Sequence, residues 1–164
     1  MLSSFSPNRG LCQSFPPAER PIALPLGKGA RMFGSKTILI ADASTYAALD
    51  LAATVEGCDG RVAGPVATLS EALAILEARD IAGAIVDCEL ADAAVLIMRL
   101  ADAGVPLVVQ TSTPLPAALE ALDGRLSVLM RPVDPRTIIA VLAADIGKRS
   151  VRVENKLGSP LKQV

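Results

Sequence analysis

Short apolar runs alternate along this chain with longer stretches whose apolar positions recur every three or four residues. Thr37–Ala41 (TILIA) is too short for a helix and apolar after its first residue, so it predicts a buried strand. A helix follows through Tyr46, Leu49, Ala53 and Val55, closing near Gly57 and Gly60. Arg61–Val66 predicts the second strand. Thr68 opens the next helix with Glu71 three residues on, the spacing of a capping box, and Leu69, Leu73 and Leu76 form its apolar side. Ala82–Val86 predicts strand three, followed by a helix over Ala91–Ala103 that Gly104 ends. Val105–Gln110 predicts strand four, Pro116–Leu122 a short helix and Leu126–Met130 strand five. Asp134 as N-cap, Pro135 at the first helical position and Gly147 just past the end frame a last helix.

Five apolar strands, each followed by a helix, predict an α/β domain over residues 36–147, a doubly wound five-stranded parallel sheet covered on both faces. In such sheets the polar groups that make a site stand at the carboxyl ends of the strands. Asp42, Asp87, Thr111 and Arg131 each lie at or just past the end of a different strand. The flanks read differently. Residues 1–35 hold five Pro and four Gly without any helical or strand period, which predicts a disordered N-terminal extension. Residues 148–164 predict a basic flexible tail.

Charge sharpens this division. The net charge of −1 conceals four basic residues against one acidic in 1–35, and five against one in 148–164. The remaining seven basic and fifteen acidic residues leave the body at −8, a poor surface for nucleic acid. Half the residues are apolar, yet every 18-residue apolar stretch contains a charge or a proline, so no membrane span is expected. No cationic segment leads into an apolar one at the start, and no signal peptide is expected. Three Cys without a CxxC support neither a disulfide framework nor a four-cysteine zinc site, and point to a reducing, cytoplasmic setting. The chain has no His, which excludes Ser-His-Asp and Cys-His catalysis. The glycine-rich GKGARMFG at 27–34 precedes a strand instead of following one and lacks the Lys-Ser/Thr ending of a phosphate loop.

From Lys36 to about Gly147 the sequence resembles a receiver domain of bacterial two-component response regulators, most nearly the alphaproteobacterial type served by HWE histidine kinases. The resemblance is carried in order by ILIADASTYAALDLAATVEG, GPVATLSEALAILE, AIVDCEL, GVPLVVQTS and VLMRPVDP. It implies the flavodoxin-like receiver fold and phosphoryl transfer from a kinase histidine to an aspartate, here Asp87. It assigns the phosphoryl-binding hydroxyl to Thr111, or else Ser112, and the cationic position after strand five to Arg131, with a cis peptide to Pro132. It also implies Mg²⁺ held by Asp42 and Asp87.

Three departures bear on that site. The second acidic position after strand one holds Ala43, which weakens or removes Mg²⁺ binding unless Glu89 lends its carboxylate. The family's Lys is replaced by Arg131, whose planar fork does not sit where a compact ammonium would, and which has the option of a fixed ion pair with Asp87 or Asp42. The family's switching aromatic is replaced by Val128 or Leu129, and the stretch from Asp87 to Gly104 is about two residues short of the family pattern. Cys88, a single thiol without a basic neighbour, is expected to be inert. The expected function is a stand-alone receiver, phosphorylated on Asp87, that signals by contact with a histidine kinase or another signalling protein through 115–147. The competing expectation is a pseudo-receiver that binds its partner without phosphorylation. An enzyme is not expected, and no output domain is expected after residue 147.

Overall fold

The computed structural model describes residues 31–157, with side chains through Arg152. Its elements run β1 (Thr37–Ala41), α1 (Thr45–Gly57), β2 (Arg61–Val66), α2 (Leu69–Ala78), β3 (Gly83–Asp87), α3 (Ala93–Asp102), β4 (Leu107–Thr111), α4 (Ala117–Glu120), β5 (Ser127–Met130) and α5 (Pro135–Leu157). The five strands form one sheet in the order β2-β1-β3-β4-β5. Every pairing is parallel. This is the doubly wound α/β fold that the alternation of strand and helix predicts.

The period of two along each strand feeds two separate cores. Leu39, Ala84, Val86, Leu107 and Val109 face Ala72 of α2 and Leu96 and Leu100 of α3. Ile38, Ile40, Ile85 and Val108 face Leu51 and Val55 of α1 and Ile138, Ile139 and Leu142 of α5. Both faces are therefore dry, which is why the central strands read as unbroken apolar runs. The N-cap forms as expected, with Thr68 Oγ1 accepting from the Glu71 amide at 3.3 Å, while the return bond of the capping box shifts by one residue: a Glu71 carboxylate oxygen accepts from the Ala67 amide at 3.3 Å. In β2, Gly64 adopts φ +105 and brings its backbone against Ile40, where a Cβ would stand 2.9 Å from the carbonyl oxygen. The register shifts at this point, and Val66 accepts a bond from the Asp42 amide at 3.0 Å.

Several boundaries differ from expectation, among them the starts of β3, β4 and β5, which fall at Gly83, Leu107 and Ser127 instead of Ala82, Val105 and Leu126. The packed domain begins before residue 36, because Phe33 is fully buried and the amides of Met32 and Phe33 both donate to the Cys58 carbonyl. Residues 1–30 of the expected N-terminal extension lie outside the described residues. The last helix does not stop at Gly147 but continues to Leu157, so 148–157 is helix instead of tail. Gly147 keeps a helical backbone, without the positive φ of a terminating glycine, and one glycine costs a helix only about 1 kcal/mol. Residues 158–164 lie outside the described residues. Helix α3 starts two residues late because Asp92 takes a left-handed φ of 59. Helix α4 is a single turn, held between Pro116 and the turns that reach Gly124 at φ +75. No helix among the described residues is long and apolar enough to cross a membrane.

Candidate functional site

Among the described residues the buried polar side chains are Asp42, Asp87, Gln110 and Thr111, and all four stand at the carboxyl edge of the sheet. Local chemistry sets the geometry of each strand end. Asp42 Oδ1 accepts from the Ser44 amide at 2.7 Å, and Asp87 Oδ1 accepts from the Glu89 amide at 3.0 Å. Thr111 Oγ1 accepts from the Thr113 amide at 3.2 Å. In each case a short polar side chain bonds the backbone two residues on, the turn chemistry that ends a strand without leaving an amide unpaired. The ladder continues past the strands, with Cys88 N donating to Gln110 O and Arg131 N donating to Thr111 O, both at 2.8 Å.

Arg131 leaves β5 across a cis peptide to Pro132 and turns back over this edge. One prong of its guanidinium, Nη2, lies 3.0 Å from Asp42 Oδ2, and the other, Nη1, lies 3.3 Å from Asp87 Oδ1. Glu89 stands at the rim, half exposed, with its carboxylate 3.9 Å from Nη1. The arginine joins residues on β1, β3 and β5, and it is 23% exposed while the two aspartates are nearly inaccessible. Three carboxylates around one guanidinium leave the site negative. Burial pushes the Asp42 carboxyl above its ordinary range, with Asp87 adding to the effect, while the Ser44 amide and then Arg131 oppose it.

The structure thus brings together Asp42, Asp87, Arg131 and, at the rim, Glu89. Thr111 is buried at the same edge, but its hydroxyl donates to the Thr113 carbonyl at 2.6 Å within its own turn, and no bond among the described residues joins it to Asp87. Ser112 is exposed. The Cys88 thiol is pushed up chiefly by burial and then by Asp87, which disfavours the reactive thiolate. Gln110 was not singled out in the sequence. It pairs in register with Asp87 across β3 and β4 and is buried with its Nε2 unpartnered among the described residues. The one signal for it was a polar residue inside the apolar run LVVQT.

Asp42, Asp87 and Glu89, expected as the carboxylates that hold Mg²⁺, do not fit that ion in this arrangement. A magnesium ion needs near-octahedral oxygen donors at about 2.0–2.1 Å. Here the guanidinium already bridges the two buried aspartates, and Ala43 supplies no donor. No group of three or more Asp, Glu, Cys or His side chains among the described residues is arranged to hold a metal ion.

No family model and no curated protein matches this chain. Solved structures do. A CheY-like response regulator receiver domain protein from Methanospirillum hungatei JF-1 is similar at 21% identity and a TM-score of 0.64, over 72% of this chain and 98% of that one. The response regulator PhyR from Brucella abortus is similar at 20% identity and a TM-score of 0.61, over 74% of this chain and 52% of that one. A response regulator from Burkholderia pseudomallei, whose structure contains a phosphorylated aspartic acid, a calcium ion and citrate, is similar at 25% identity and a TM-score of 0.59, over 77% of this chain and 76% of that one. These likenesses establish a receiver-type fold.

Proposed function

We propose that this chain is a signalling receiver that accepts a phosphoryl group on Asp87 and passes the signal on by protein contact. The observation that carries the reading is the placement of Asp87 as the last residue of the central strand β3, buried, with a cationic fork held against it. Both close contacts of its carboxylate fall on Oδ1, which leaves Oδ2 to attack. In the proposed step Asp87 Oδ2 bonds to the phosphorus of a phosphohistidine as the P–N bond breaks. The electron pair leaves on the imidazole nitrogen, which takes a proton from water, and an acyl phosphate forms. Arg131 offsets negative charge that would otherwise repel the incoming phosphoryl group.

The partner is a histidine kinase or another signalling protein, met through 115–147. In support, β5 is an edge strand that leaves Val128 38% and Met130 56% exposed, apolar surface beside the single turn of α4. The test is intact mass after incubation with phosphoramidate. One added phosphoryl group on the wild type and none on Asp87→Asn is the expected result. A second reading, a pseudo-receiver that binds its partner without phosphorylation, is favoured by the Thr111 hydroxyl being engaged in its own turn. An unlabelled chain that still binds a kinase would select it.

A further inference from the structure

We infer that the Arg131 guanidinium is the resident cation of this site and that the site takes no divalent metal. The inference deepens the phosphoacceptor reading and rests on it for the identity of the site. Its geometric basis is separate from phosphotransfer. A receiver-type solved structure carries a calcium ion together with its phosphorylated aspartate. In this chain a positive group of another kind stands between the carboxylates, 3.0 Å from Asp42, 3.3 Å from Asp87 and 3.9 Å from Glu89.

Two features make the arrangement self-consistent. The first is charge. Asp42 and Asp87 are both about 2% exposed, and a pair of buried like charges needs a nearby cation to stay ionised together. Arg131 supplies it from a side chain tethered at the end of β5, within 3.3 Å of both carboxylates. The second is shape. A planar fork reaches two carboxylates at once from one side chain, whereas a single ammonium is a compact point charge. With Ala43 exposed and without a donor atom, a hydrated ion would have to displace the tethered guanidinium and would gain no second β1 carboxylate in return. Removing the guanidinium would leave the two buried aspartates facing the position it occupied, and one or two carboxylates plus waters are donors that a divalent cation takes.

The experiment is thermal unfolding of the full chain in millimolar MgCl₂ or MnCl₂ against NaCl of equal ionic strength. The wild type is expected to show the same Tm in all three salts. Arg131→Gln, which keeps most of the stem and loses the charge, is expected to gain about 4 °C or more in the divalent salts alone. A divalent-specific rise in the wild-type Tm would overturn the inference. So would an Arg131→Gln chain that ignores the divalent ions, since the arginine would then not be what excludes them. If that variant does not fold, Mn²⁺ binding to the wild type, read by the loss of its free EPR signal, decides the matter: uptake at millimolar concentration overturns the inference and no uptake supports it. Phosphoramidate labelling is a separate readout. A chain that is unlabelled with and without Mg²⁺ breaks the phosphoacceptor reading and leaves the cation result standing.

Discussion

The two ends of the parallel sheet carry opposite charge, and they hold it in different surroundings. At the carboxyl end Asp42 and Asp87 are buried and share Arg131, so each charge depends on a named partner. At the amino end Arg125, Lys148, Arg149 and Arg152 line a cavity of about 890 Å³ beside the starts of β4 and β5. Its ion pairs are open to water: Arg125–Asp102 at 3.3 Å with side chains 47% and 76% exposed, and Lys148–Asp145 at 3.1 Å with 77% and 23%. The distances at the two ends are alike. What differs is solvent, and solvent decides how much a charge pair matters, since exposed pairs contribute about 0–1 kcal/mol whereas breaking a buried one costs several times that.

The sharpest way to break this comparison is to remove one cation from each end. Arg131→Ala is expected to lower stability by about 3 kcal/mol, because it strands two buried carboxylates. Urea unfolding at neutral pH measures this, and a loss no larger than that of a surface substitution would contradict it. Asp42→Asn refines the point through pH. The folded-state pKa of Asp42 is raised, so across the window from its ordinary 3.8 up to that raised value the native state holds a proton that the unfolded chain has released. The wild type is therefore expected to lose stability relative to Asp42→Asn as pH rises through that window, and to level off above it. Paired urea curves over a pH series check the sign, and a gap moving in the wild type's favour would contradict it.

At the amino end the effects are smaller. Gly147→Ala is expected to stabilise by up to about 1 kcal/mol, because the helix runs through this position and a Cβ there meets nothing within 4 Å. A destabilised variant would mean that Gly147 ends the helix. The coupling between Arg125 and Asp102, taken from a double-mutant cycle, is expected to stay below about 1 kcal/mol and to shrink in high salt. A larger, salt-resistant coupling would erase the contrast between the two ends.

Much of the fold was legible because it rests on local chemistry. Thr37–Ala41 and Arg61–Val66 are strands over those residues, and Thr68 with Glu71 caps α2, since unbroken apolar runs and capping spacings are short-range signals. The site was legible in part for the same reason. A polar residue directly after a buried run must lie at a strand end, so Asp42, Asp87, Thr111 and Arg131 could be placed on one edge. Their contacts were less accessible. The pairing of Arg131 with either aspartate was one option among several, and its fork spanning both depends on side-chain geometry across three strands. Thr111 turning to Thr113 depends on a local turn that competes with the longer-range contact. Phe33 and the helix beyond Gly147 were missed because a Pro- and Gly-rich composition upstream, and a lone glycine inside α5, are weak signals that tertiary packing and helix continuity override.

The measurement that bears most directly on the account is intact mass of the full chain after phosphoramidate treatment in excess EDTA, beside the same treatment in MgCl₂. The account predicts one phosphoryl group on the wild type at the same rate in both, and none on Asp87→Asn. An adduct that survives in Asp87→Asn, or one that forms only with Mg²⁺, would contradict it.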